Sequence, residues 1–274
     1  MNTLVSVIGG ANVDLSATLQ DSFIASDSNP GHVEVGYGGV ARNIAHNLSL
    51  LGTKAQLLTI FGGDLFGGLL YDYCRQEGID VHLSERVSSL RSGLYLCINN
   101  HGGEMIAAVA DTEAMRVITQ EWLAQRSGDI NMSDFIIADT NIGEDAIRYL
   151  MEQSTAPLFI DGVSTTKAHR VVNALRKSKL PYLHTLKLNF KEALAVTVGD
   201  KNIYEVTEND LEKKIVGYIP FLFLWDNNLQ KKYFSHRFPV LAYSTVHSVE
   251  PSSFLRSNHQ FQLSPHKEYQ PHYD

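Results

Sequence analysis

Short buried-strand runs alternate with helix-period runs along this chain, and that alternation restricts its fold more than any other feature. Leu4–Ile8 and Ala55–Phe61 read as strands. Phe66–Gln76 reads as a helix with Phe66, Leu69, Leu70 and Tyr73 on one face and Gly78 beyond its end. Phe135–Ala138 and Leu158–Ile160 read as strands on either side of a helix over Glu144–Glu152. Thr165–Lys177 is helical with Ala168, Val171, Val172 and Leu175 inward; Leu183–Leu188 is a further strand, and a short helix starts at Phe190. Repeated β-α order predicts an α/β fold, a central and mainly parallel sheet flanked by helices. Ser16–Val35 and Gly93–Val109 break the rhythm. Both are strand-like, the second a hairpin around Asn99-Asn100-His101-Gly102-Gly103. They predict a small β-sheet lid projecting over a ligand; the alternative is that they are edge strands of the main sheet.

The segment from Gly36 to Gly52 carries the clearest functional signal. It joins Gly38-Gly39 to Asn43 at the mouth of a helix whose apolar positions are Ile44, Leu48 and Leu51, with Gly52 placed as its C-terminal cap. Glycine lets backbone approach a ligand closely. A helix start with free N–H groups and Asn43 on its first turn suits a hydroxyl-rich or anionic small molecule. A second candidate, Gly9-Gly10-Ala11-Asn12-Val13-Asp14, follows the first strand, at the strand end where α/β sheets bind ligands. Asp14 there suits a pair of neighbouring sugar hydroxyls, because charge-assisted hydrogen bonds are the stronger kind; alone, it reads equally as a turn cap.

Composition narrows the partners. Net charge is −7 and no Lys/Arg stripe is present, which argues against a nucleic-acid surface. Two cysteines, Cys74 and Cys97, indicate neither a disulfide framework nor a cysteine zinc site. The N-terminus lacks a basic n-region, and no apolar run approaches the roughly 20 residues needed to span a bilayer. The expectation is a cytoplasmic, soluble protein with a small-molecule ligand and no membrane or nucleic-acid partner. No G-x-G-x-x-G follows the first strand and no Walker A loop occurs, which disfavours a nicotinamide dehydrogenase and a P-loop enzyme.

Five motifs in order, Gly10-Ala11-Asn12-Val13-Asp14, Ser26-Asp27-Ser28-Asn29-Pro30-Gly31, Gly38-Gly39-Val40-Ala41-Arg42-Asn43, Gly63-Asp64-Leu65-Phe66-Gly67 and Lys187-Leu188-Asn189-Phe190-Lys191-Glu192, carry a resemblance. Over residues 4–217 the chain resembles the ribokinase-like (PfkB-type) carbohydrate and nucleoside kinases, and among them the bacterial pseudouridine kinases. The resemblance implies ATP-dependent phosphorylation of the 5′-hydroxyl of a ribose-type substrate, with ATP and Mg²⁺ as cofactors and a homodimer through the lid. It assigns Asn12, Asp14, Gly38, Gly39 and Asn43 to the ribose-like part, Asp139 and Asn141 to further substrate contacts, and Asn29 and Arg42 to stretches that favour pseudouridine. Lys187, Asn189 and Glu192 fall to the nucleotide side, Glu192 acting on the metal through water. Leu188 stands where a proline is common and Phe190 where a basic residue is, a local departure from the pattern. Ribose, fructose phosphates, adenosine and pseudouridine are all substrates of relatives with similar first signatures.

The chain departs from the family most at its end. All 20 glycines lie at or before Gly217, whereas residues 218–274 hold five of eight prolines, five of eleven histidines and 12 of 26 aromatics. The family's second signature, Gly-Ala-Gly-Asp or close to it, is therefore absent from this sequence. It supplies an oxyanion hole and a general base, whose losses cost about 10²–10³ and about 10²–10⁴ in rate. The reading is a kinase domain over 1–217 followed by an atypical tail over 218–274, either frameshifted or truly divergent, with no catalytic base identified and turnover lost or impaired. The alternatives are a non-catalytic binding module and a non-functional truncated product.

Overall fold

A computed structural model of the chain describes residues 3–179, 182–198 and 221–225. The strands and helices run in the order β1 (Leu4–Ile8), β2 (Asn12–Leu19), β3 (Gly31–Gly38), α1 (Val40–Leu50), β4 (Lys54–Leu58), β5 (Ile60–Gly62), α2 (Leu65–Gln76), β6 (Glu85–Val87), β7 (Leu94–Asn99) and β8 (Met105–Asp111). A 3-10 turn (Glu113–Val117) and two short helices, α3 (Gln120–Ala124) and α4 (Ser127–Asn131), follow. The chain continues through β9 (Phe135–Asp139), α5 (Glu144–Gln153), β10 (Leu158–Asp161), α6 (Thr165–Lys177), β11 (Thr185–Asn189), α7 (Phe190–Val198) and β12 (Phe221–Trp225).

Six strands form one parallel sheet in the order β12-β11-β10-β9-β1-β4. Leu57, Leu58, Ile8, Ile136, Leu158, Ile160 and Leu186 fill it with fully or nearly fully buried side chains, the continuous apolar reading expected of a sheet covered on both faces. Ala168, Val171, Val172 and Leu175 of α6 are buried against it, as their spacing requires. From β1 the chain moves outward to β4, then returns to β9 and proceeds the other way. The carboxyl ends of β1 and β9 therefore flank a topological switch point, where an open parallel sheet leaves a crevice.

The rhythm-breaking stretches pair into a separate four-stranded sheet, β3-β2-β7-β8, so they are not edges of the main sheet. Directly paired residues share a face. Gly36, Asp14, Tyr95 and Ala110 form one row; Val35, Leu15, Leu96 and Val109 form a row on the opposite face.

Three local readings change. Ala55–Phe61 is two strands broken at Thr59, whose N–H is taken by Ser84 Oγ and whose carbonyl accepts Glu85 N–H. Leu51 is 80% exposed and Leu69 42% exposed, so neither joins the apolar stripe of its helix. Residues 113–131 fold into three short helical turns too brief for periodicity to show. β12 extends the main sheet past residue 217, while the expectations for 199–217 and for the tail over 226–274 lie outside the described residues. Among the described residues no helix is long and apolar enough to cross a membrane.

Candidate functional site

The switch-point crevice is built around Asp139, at the end of β9. Its carboxylate is fully buried and accepts three backbone N–H groups: Gly10 at 3.0 Å, Ala41 at 2.9 Å and Asn141 at 2.8 Å. One side chain thus ties the loop after β1, the start of α1 and the turn after β9. Burial pushes its pKa up against those bonds. Glycine is required here, since a Cβ at Gly9 would fall on the Asp139 carboxylate. In this arrangement Asp139 faces backbone donors, where the sequence reading had it among the substrate contacts.

The same carboxylate changes the reading of the helix start. Ala41 N–H binds Asp139 and Arg42 N–H binds the Gly10 carbonyl at 3.2 Å, so neither is free for a ligand. A protein carboxylate already occupies the positive end of α1. Gly39 begins the helix at φ +94°, and a Cβ there would strike the Gly10 carbonyl and Ala11 Cα. The Gly38-Gly39 pair thus allows β3 and α1 to fold tightly over the first loop.

Around this frame stand the polar groups. The Asn12 amide donates to Asp14 across β2, and Gly38 lies against the Asp14 carboxylate without a side chain. Asp14 is half-buried; burial raises its pKa, and Asn12 and the Arg42 charge pull it back. Asn43 lies exposed on the first turn of α1, with no side-chain hydrogen bond among the described residues. Asn12, Asp14 and Gly38 thus come together, and Asn43 N–H bonds the Gly39 carbonyl at 2.9 Å one turn into the helix that follows.

Arg42 and Asn29 are both engaged within the protein. Arg42 is 4% exposed, its Nε donates to the Gly38 carbonyl at 3.3 Å, and its guanidinium lies 5.6 Å from the ring centre of Tyr73, which stacks on Tyr37. His46, held by Glu77 at 3.0 Å, backs it. Arg42 supports the loop from beneath. Asn29 closes its own loop, accepting from Ile24 N–H and donating to the carbonyls of Ile24 and Asp27.

A second corner lies at β11. Asn189 and Glu192 cap α7 reciprocally: Glu192 N–H donates to Asn189 Oδ1 at 2.9 Å and Asn189 N–H to Glu192 Oε2 at 2.8 Å. Glu192 is 2% exposed, and burial raises its pKa with a further push from Asp161. Lys187 Nζ pairs with Asp161 Oδ2 at 2.8 Å. Asp161, Asn189 and Glu192 offer oxygen donors, the kind Mg²⁺ accepts through its waters. Among the described residues no three His, Cys, Asp or Glu side chains form a direct metal cage.

Sequence reasoning missed Lys167 and Arg170 of α6. Lys167 Nζ donates to Asn141 Oδ1 at 2.6 Å, and Arg170 Nη1 reaches the carbonyls of Thr140, Asn141 and Ile142 at 2.9, 3.1 and 3.0 Å. Asn141 abuts Gly10 and lines a cleft of about 680 Å³ with Arg170, Arg116, Thr112 and the end of β8. The available signal was Lys167-x-x-Arg170 at i, i+3 on the first turns after the β10 strand end.

A parallel sheet with a polar pocket at its switch point, overhung by a separate four-stranded sheet, defines a ribokinase-like kinase fold. The chain belongs to the pfkB family of carbohydrate kinases, matched over residues 2–216. It is 38% identical to the pseudouridine kinase of Escherichia coli (strain K12) over 190 residues, 69% of this chain and 59% of that relative. Among solved structures it resembles a carbohydrate kinase from Agrobacterium tumefaciens, with a TM-score of 0.65, 28% identity, and coverage of 77% of this chain and 67% of that one. It shares the fold of Arabidopsis thaliana ribokinase, solved with ribose and ATP, at a TM-score of 0.61 and 13% identity over 81% of this chain and 71% of that one. The chain thus spans about three-fifths of the length of its E. coli relative.

Proposed function

We propose that this chain binds the ribose part of a nucleoside, pseudouridine being the leading candidate, in a site evolved for ATP-dependent phosphorylation of the 5′-hydroxyl. The observation that carries the reading is the pairing of Asn12 with Asp14 against Gly38, with Gly39 closed over the loop after β1 and Asn43 exposed one turn into α1. The choice of pseudouridine rests on the E. coli relative that bears that name, and ATP on the Arabidopsis neighbour that holds it.

The chemistry assigned to this chain's residues is binding and orientation. Asp14, fixed by Asn12, accepts hydrogen bonds from adjacent hydroxyls, and Asn43 donates or accepts from the open helix face. The glycines at 38 and 39 let the sugar lie against backbone. At the β11 corner, Asn189 and Glu192 would orient the waters of Mg²⁺, which when bound neutralises phosphate charge. Residues 218–274 contain no glycine, so no Gly-Ala-Gly-Asp anion hole or base occurs in this sequence. That observation favours a second reading, a binding module that keeps the sugar pocket with little turnover by these 274 residues.

Calorimetric titration with ribose and pseudouridine tests the site. Asp14→Ala removes two charge-assisted hydrogen bonds worth about 1.5–3 kcal/mol each, so affinity should fall at least about a hundredfold. Unchanged affinity would remove Asp14 from the site, and a wild-type chain that binds neither ligand would end the reading. ATP consumption in the presence of bound pseudouridine separates the kinase from the binding module.

A further inference from the structure

Lys167 and Arg170 are both half-buried, yet neither pairs with a carboxylate among the described residues. Their partners are neutral: one amide oxygen and three backbone carbonyls. The carboxylates nearby are committed elsewhere. Asp111 pairs with Arg91 at 3.3 Å, Glu113 with Arg116 at 2.8 Å and Asp161 with Lys187 at 2.8 Å. Asp139 attracts both cations from behind, but its oxygens are taken by the N–H groups of Gly10, Ala41 and Asn141. Burial lowers the pKa of each cation, and a neighbouring cation, Arg170 for Lys167 and Arg116 for Arg170, lowers it further against the pull of Asp139.

Such an arrangement costs free energy unless an anion completes it. Arg170 lines the cleft beside Asn141 and keeps Nε–H and its Nη2 protons without a protein acceptor among the described residues. Lys167, bonded to the same Asn141, keeps two ammonium protons without a protein acceptor among the described residues. The topology adds an independent observation. α6 follows β10, which lies between β9, on the sugar side, and β11, which carries Asn189 and Glu192. The end of β10 thus lies between the two corners in the sheet.

We propose that Lys167 and Arg170 form an oxyanion site for a phosphoryl group, placed between the sugar pocket and the Asn189–Glu192 corner. The proposal rests on the sugar-binding reading for its neighbour but not for its own chemistry. Three probes separate the two: ribose, ribose 5-phosphate and inorganic phosphate, titrated calorimetrically into the full chain and its variants.

Wild type should bind ribose 5-phosphate at least about tenfold more tightly than ribose, as a charge-assisted contact provides. Lys167→Gln keeps a donor for Asn141 Oδ1 but removes the charge. It should erase most of that preference and leave ribose affinity within about twofold, while Lys167→Arg restores the preference. Raising salt to about 0.5 M should weaken only the phosphate-bearing ligands. A Lys167→Gln chain that melts like wild type and keeps the full preference overturns the site. Ribose binding with no preference for the phosphate does so too, and leaves the sugar reading intact. Binding of phosphate and ribose 5-phosphate without ribose supports the oxyanion site and defeats the sugar reading. A wild-type chain inert to all three ends both.

Discussion

Asp139 joins three parts of the chain that are far apart in sequence, and its removal tests whether the sugar pocket is held by that one carboxylate. Asp139→Ala orphans the buried N–H groups of Gly10, Ala41 and Asn141. An orphaned buried donor costs about 1–3 kcal/mol, so the gross loss is about 3–9 kcal/mol. Two effects reduce it. The desolvation that raises the Asp139 pKa is no longer incurred, and water can enter the space left behind. A net loss of about 3–5 kcal/mol follows, which for a chain of this size lowers the melting temperature by about 10 °C. Asp139→Asn preserves the volume, but its amide offers one acceptor oxygen and turns a donor toward another donor. It should lose about 2–3 kcal/mol, less than Ala, while weakening ribose binding, because Gly10 and the start of α1 are no longer fixed relative to each other. Thermal unfolding followed by near-UV circular dichroism, with calorimetric ribose titration, reads both effects. If Asp139→Asn melts within about 2 °C of wild type and binds ribose equally well, the clamp is not what holds the pocket.

Three further outcomes are expected. Asp14 accepts from two hydroxyls with full charge assistance only when ionised, and its pKa is raised above the ordinary 3.8; ribose affinity should therefore begin to fall at a higher pH than an ordinary aspartate would dictate, and Asp14→Asn should flatten the profile. For folding the sign is reversed. The folded state holds the Asp14 proton more tightly, so its contribution to stability declines as pH rises from 3.8 through the raised value, and an Asp14→Asn chain compared by melting temperature across that window should lack this slope. The lid row of Val35 and Val109, 59% and 65% exposed, with Val33 at 63%, forms the surface on which we propose that two copies meet. Val35→Lys with Val109→Lys should convert a dimer to a monomer in light scattering; a wild-type monomer at high concentration would refute that surface.

The sequence was most legible where periodicity was long. α6 occupies the range its spacing predicted, with Ala168, Val171, Val172 and Leu175 buried, because a 13-residue helix repeats its stripe often enough to be read. The parallel sheet followed from the β-α order, and two of the motifs meet where Gly38 lies against the Asn12–Asp14 pair. Lys167 and Arg170 escaped notice because each is an ordinary charge on an amphipathic helix until β9 and its turn are set beside it. Asn29 and Arg42 show a different limit of local reading. Both lie in motif stretches, but one is used up by its own loop and the other is packed under Tyr73.

What the sequence determined by itself was the periodic part: which segments become strands and helices, that the strands run parallel, and which polar residues follow strand ends. These depend on local spacing and short-range sterics. Only the tertiary structure decided which polar groups remain available. Ala41 N–H and Arg42 N–H cap a helix in sequence terms, yet they are taken by Asp139 and Gly10, residues 98 and 32 positions away. Hydrogen-bond satisfaction in a buried crevice depends on partners distant in the chain. A donor read locally as free is therefore free only if no remote acceptor arrives.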